Sequence, residues 1–166
     1  MAILPALVPQ SFMVPTVLET EAFRLRMLTI HDVVKDYDAV MTSCEHLQGV
    51  FGPGSDWPTA DLSLEQELID LAWHQKEFQN RTSFAYTVMS LDESCCLGCV
   101  YIYPAPRTDY DAQVILWSRQ STLASGLETM LLVAVKDWLK TQWPFERVGF
   151  PGKEISWTEW LSKSAG

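Results

Sequence analysis

Residues 112–143 read AQVILWSRQSTLASGLETMLLVAVKDWLKTQW. The first seven form a short apolar strand, 119–126 is a loop of small and polar residues, and the remainder is an amphipathic helix. Its Leu127, Met130, Leu131, Ala134, Val135 and Trp138 recur at helical intervals, which predicts one buried face, and Pro144 forbids extension. A helix start carries amides without intrahelical acceptors and the positive end of the helix dipole. A small-residue loop opening such a helix is therefore a ready phosphate site.

Two strands precede this unit. Residues 84–89 (FAYTVM) form one, Asp92-Glu93-Ser94 is a hairpin turn, and residues 96–103 form the next, ended by Pro104 and Pro106. Downstream, 147–150 is a short strand and ISWTEWL a last helical turn. Nearer the N-terminus, FRLRML (23–28) alternates as a half-buried strand. A helix capped by Thr29 or Asp32 follows it. Residues 49–61 are rich in Gly and Pro. The next helix starts at Ser63, with Gln66 at capping-box spacing, and is predicted to bury Leu64, Leu68, Leu71, Ala72 and Phe78. Strands 112–118 and 147–150, joined through a helix, are parallel neighbours if they lie side by side. The expectation is an α/β (α+β) fold with a mixed, mostly antiparallel sheet and helices on both faces. Residues 1–22 read as an extended arm and 23–166 as one domain.

With 166 residues, 48% of them apolar, the chain is long enough to bury a real core. The formal charge of −9 argues against nucleic acid, whose backbone requires dense Lys and Arg, and no apolar run is long enough to span a bilayer. MAILPALVPQSFMVP has no basic residue ahead of its apolar part and three prolines, which makes it a poor signal peptide. Cys95, Cys96 and Cys99 crowd into one strand. Cys96-Leu97-Gly98-Cys99 has redox-motif spacing but runs on into VYIY, not into a helix start. His31, His46 and His74 show no paired spacing, so no metal is expected. Reduced cysteines favour the cytoplasm.

The element order resembles the GNAT superfamily of acyl-coenzyme A-dependent N-acyltransferases. The residues carrying the likeness are Phe23–Thr29 with Asp32, Leu97-Gly98-Cys99-Val100-Tyr101-Ile102, and Ala112–Ser118, within roughly residues 23–150. The resemblance implies acetyl-CoA as cosubstrate. Pantetheine would pair with the backbone at Leu116, Trp117 and Ser118, and the pyrophosphate would sit on Ser121–Leu127. Gly126 stands at the final Gly/Ala of the family's loop, Ala124 in place of an earlier Gly, and Ser125 between them. Ser121 replaces the leading Arg/Gln, with Arg119 just ahead as a local positive charge. The family's usual base position is Gln113, which cannot take a proton, so Asp111, two residues earlier on the same strand face, is the substitute. The acid is often a Tyr after the last strand, but this sequence has none beyond Tyr110. Tyr101 and Tyr103 are the aromatic candidates for the acceptor cleft.

The implied activity is direct acetyl transfer to an amine of a small molecule or peptide. A homodimer partner, the N-terminal arm or the Trp157/Trp160 tail would complete the acceptor site. The alternative is a non-catalytic CoA-binding or interaction module, favoured by the altered loop and by Gln113. A third reading is an unrelated α+β domain that binds a small apolar ligand.

Overall fold

In the computed structural model, which describes residues 4–162, six strands form one open sheet in the order β1-β2-β3-β4-β5-β6. These are β1 (Val17–Glu19), β2 (Arg24–Met27), β3 (Phe84–Met89), β4 (Cys96–Pro104), β5 (Ala112–Ser118) and β6 (Val148–Gly149). Every neighbouring pair is antiparallel except β5 with β6. Helices α1 (Val33–Met41) and α2 (Leu64–Asn80) cover one face, while α3 (Leu127–Gln142) covers the other. The sheet is thus mixed and mostly antiparallel with helices on both faces, as the sequence predicts. A short α4 (Trp157–Ser162) follows β6.

β3 is buried at every position and β5 at all but Gln113, because both lie mid-sheet between the helical layers. Gly98 of β4 allows the closest strand approach: a Cβ there would fall 2.1 Å from the Trp117 carbonyl oxygen.

Residues 4–22 lie against the domain. Val17–Glu19 adds an edge strand to β2, and Val8 enters the core. Arg81, in the left-handed conformation that ends α2, donates from its guanidinium to the carbonyls of Pro9 and Phe12. Tyr86 Oη donates to the Pro15 carbonyl at 2.6 Å.

One of the two helical layers departs in register from expectation. α3 buries Leu127, Leu131, Val135 and Trp138 as its periodicity predicts, with Met130 exposed and Ala134 at the boundary. α2 turns Leu64, Leu68 and Ala72 to solvent and buries Glu67, Leu71 and Phe78. Its Ser63 cap is real, accepting from the Gln66 amide, but the Gln66 side chain reaches Asp70 and does not close the box.

Candidate active site

β5 and β6 run side by side for only two residue pairs, Ala112 with Val148 and Gln113 with Gly149. The Trp160 indole lies against Gly149, where a Cβ would come within 2.4 Å of the ring, and its Nε1 donates to Gln113 Oε1 at 3.0 Å. Arg107, itself buried, stacks 5.0 Å from the rings of both Tyr110 and Trp160 and donates to the Glu159 and Trp160 carbonyls. Beyond Gln113, β5 continues to Ser118 with no strand on that edge.

Ladder parity says which backbone groups face this gap. The Arg119 amide donates to the Leu97 carbonyl on the β4 side at 2.8 Å. Alternation in an antiparallel pair then turns the peptide groups of Trp117 and Ile115 toward β4, and those of Val114 and Leu116 toward the gap. Ser118 fits this parity, since its amide points across the gap to Glu128.

A cavity of about 210 Å³ occupies the gap, lined by Ile115, Leu116 and Trp117 from β5, His46–Val50, Glu128, Pro151–Lys153 and Trp157. Glu128, in the first turn of α3, accepts from Ser118 Oγ at 2.9 Å, pairs with Lys153 Nζ and lies 3.6 Å from His46 Nε2. Burial alone would raise the Glu128 carboxyl. The Lys153 ammonium and the Ser118 hydrogen bonds outweigh it and hold the group below the usual carboxylate range. Trp157 closes the far end, its ring between Gly52 and Gly152. A second, open cleft of about 480 Å³ on its other side includes Phe51, Tyr103, Gln113, Ile115 and Trp160.

The segment expected as an open phosphate loop is a 3-10 helix over Gln120–Ser125. Without an early glycine, Ser121–Ser125 coil into αR-like turns. Thr122 Oγ1 and Ser125 Oγ donate to carbonyls within the turns themselves. Ser121, Ala124 and Ser125 remain exposed, and Gly126 takes the left-handed conformation (φ 77°) with open space at its Cα. α3 starts at Leu127 with no side-chain cap, which leaves its first amides without an intrahelical acceptor. Arg119 turns the other way. Its guanidinium donates to Asp38 Oδ2, Thr42 Oγ1, the Cys96 carbonyl and Cys95 Sγ, so its charge serves α1 and β4.

Asp111 lines none of these cavities. Its Oδ2 accepts from the amides of Glu146 and Arg147, each at 2.8 Å. These hydrogen bonds, Arg147 first, hold its carboxyl below the ordinary range. The residue ties the turn before β6 to the start of β5. Tyr101 is buried on the α1/α2 side, where its oxygen accepts from Trp117 Nε1 at 3.2 Å, and burial pushes its phenol up. Sequence reasoning thus places Leu116 to Ser118 at the gap. It misses His46, Glu128, Lys153 and Trp157, which come from separate segments with no shared local motif.

A further cavity of about 210 Å³ sits between α1, α2 and β4. Asp36, Glu67, Asp70 and His74 line one part of it, and Phe51, Trp57, Trp73 and Tyr101 another. Among the described residues no cluster of His, Cys, Asp or Glu has an arrangement that could hold a metal ion, and the cysteines are free.

The fold is similar to that of solved acetyltransferases. The ribosomal-protein-S5-alanine acetyltransferase of Vibrio fischeri superimposes with a TM-score of 0.64 at 16% identity, over 81% of this chain and 72% of that one. RimL, a ribosomal L7/L12 α-N-protein acetyltransferase, gives 0.64 at 19%, over 87% and 76%. The microcin C7 self-immunity acetyltransferase MccE, solved with acetyl-CoA and AMP, gives 0.59 at 10%, over 77% and 69%. The fold is that of the GNAT acetyltransferases. No family model and no curated protein matches the sequence. Within the GNAT fold, the gap at Leu116 falls at the edge where the resemblance in sequence sets pantetheine. No helix among the described residues is long and apolar enough to cross a membrane.

Proposed function

We propose that this chain is an acetyl-CoA-dependent N-acetyltransferase acting on an amine of a small molecule or peptide. One observation carries the reading: the edge of β5 at Leu116, left without a partner strand over a cavity at the β5/β6 gap. Pantetheine would lie along Leu116–Ser118, its carbonyls and amides completing the ladder that β6 abandons. The Leu116 amide would polarise the thioester carbonyl. The amides of Leu127 and Glu128, with Lys153, would receive a phosphate in place of the coiled Ser121–Ser125 segment, with Gly126 marking the turn beside them.

In the reaction the amine nitrogen attacks the thioester carbon, the C–N bond forms, the C–S bond breaks, and the amine gives up a proton. Gln113 is tied to Trp160, and Asp111 to the turn before β6. His46, whose Nε2 lies 3.6 Å from Glu128, lines the gap and receives that proton in this reading. A positioned base contributes about 10² to 10⁴ in rate, so His46→Ala should lower kcat by that factor and leave acetyl-CoA binding intact.

The binding-module alternative has a specific support. The Glu128 carboxylate already occupies the Ser118 amide and hydroxyl and places negative charge beside the phosphate path. The deciding experiment is thermal denaturation with acetyl-CoA, then an amine panel. A saturable rise in melting temperature with acetylated product supports the enzyme, whereas a rise without product supports the module. No rise overturns both.

A further inference from the structure

α2 points its polar residues inward. Glu67, Asp70 and His74 recur with Leu71 on the stripe that faces α1 and β4, while Leu64, Leu68, Ile69 and Trp73 face solvent. Opposite them, Asp36 is the one carboxylate buried at the centre of α1, 3% exposed. Burial first, and then the neighbouring Glu67 carboxyl, raises the Asp36 carboxyl above its ordinary range. Oδ2 of Asp36 and Nδ1 of His74 are both buried without a partner, and both residues line the α1/α2/β4 cavity. Buried polar atoms are nearly always satisfied, so two orphans on one cavity mark the place of an absent group. Burial pushes His74 below the usual imidazole range, and a carboxylate oxygen such as Asp36 Oδ2 can only accept. The absent group is therefore a donor.

The rest of the wall specifies its charge and size. Trp57, Trp73, Phe51 and Tyr101 present aromatic rings to the same space, and Tyr101 lies 5.2 Å from the His74 ring. Carboxylates and aromatic rings lining one cavity together favour a cation. A volume of about 210 Å³ admits an organic ion of a few carbons. We propose that this cavity binds a small primary-ammonium compound, its NH3+ group donating to Asp36 Oδ2 and His74 Nδ1 and its carbon chain lying against Trp57, Trp73 and Tyr101. The ammonium supplies the positive charge that lets Asp36 and Glu67 ionise together. The site is walled from the β5/β6 gap by Trp117 and Tyr101, whose side chains are bonded to each other, and it stands whether or not the chain transfers acyl groups.

The test uses the full chain without acetyl-CoA, titrated with n-butylammonium chloride, with 1-butanol and with sodium chloride at matched ionic strength. Melting temperature and tryptophan fluorescence are the readouts. Butylammonium should give a saturable rise in melting temperature and a saturable fluorescence change, and butanol and sodium neither. Asp36→Asn, which retains a partner for Glu67, should weaken the apparent Kd roughly tenfold or more. Trp73→Ala, on the exposed rim, should weaken it severalfold without affecting the fold. Absence of saturation in the unmodified protein overturns the proposal. So does an equal response to butanol, or a Kd unchanged in whichever of the two variants folds. A response to calcium or magnesium in place of butylammonium would make this a metal site and overturn it as well.

Discussion

The two helical layers treat the same sheet in opposite ways. α3 covers its face with Leu127, Leu131, Val135, Trp138 and Leu139, and Trp138 packs edge-on against both Tyr86 and Trp143. α2 covers the other with a stripe in which Glu67 and His74 alternate with Leu71 and Phe78. One face is built as a core. The other gives up apolar burial to hold carboxylates and an imidazole around a cavity, an arrangement that costs stability and is expected where a ligand binds.

Trp138→Ala tests the core face and should have the largest effect. It removes a fully buried indole from an aromatic cluster, and a loss of about 3–5 kcal/mol in unfolding free energy is expected from denaturant titration. A loss below about 1 kcal/mol would mean that this face is not the principal core.

The polar face should reveal itself in pH dependence. Burial first, then the hydrogen bond to Glu67, raises the Asp36 carboxyl well above its ordinary range, with Asp32 adding repulsion; burial raises Glu67, with Asp70 adding to it. As pH climbs above about 4, the unfolded chain releases these protons while the native state retains them. The unfolded state then binds fewer protons, so this pair makes stability fall with rising pH up to the folded pKa. Asp36→Asn should flatten that fall and leave the apo protein more stable than the unmodified one at pH 8. An unchanged slope would sink the assignment.

The start of α3, where the core face meets the β5/β6 gap, gives a smaller effect. Glu128→Gln removes a negative charge from beside Ser118 and the first amides of the helix. Acetyl-CoA should then bind about two- to fivefold more tightly, a shift measurable by calorimetry. Weaker binding would mean that Glu128 contributes to holding the ligand.

The smallest effect sharpens the contrast between the helices. Leu68 has the helical spacing of a core residue yet is 41% exposed. Leu68→Ala should change stability by no more than about 0.5 kcal/mol, against about 2–5 kcal/mol for Leu131→Ala.

These helices also mark how far the sequence could be read. For α3, apolar period, loop and Pro144 agree, and the buried face follows. For α2, two stripes compete, Leu64-Leu68-Leu71 and Glu67-Leu71-His74-Phe78. Hydrophobicity favours the first, because the second is stabilised only by partners on α1 and β4 that local sequence does not reveal. At the gap, Leu116 to Ser118 were reachable only through the family resemblance of strand 112–118. Their partners there could not be placed, since His46, Glu128, Lys153 and Trp157 come from four separate segments.

Residue order and polarity were enough to set the mixed sheet, its parallel β5/β6 pair and the helices on both faces. Period and chain connectivity are local properties that few topologies satisfy. The folded chain settled the rest: which stripe of α2 turns inward, that Ser121–Ser125 coils into a 3-10 helix, and that Trp160 packs over the last β5/β6 pair. Asp111 became a tie to the turn before β6, and Arg119 an anchor to α1. A side chain's charge state, partners and direction depend on groups distant in sequence, and only packing brings those groups together.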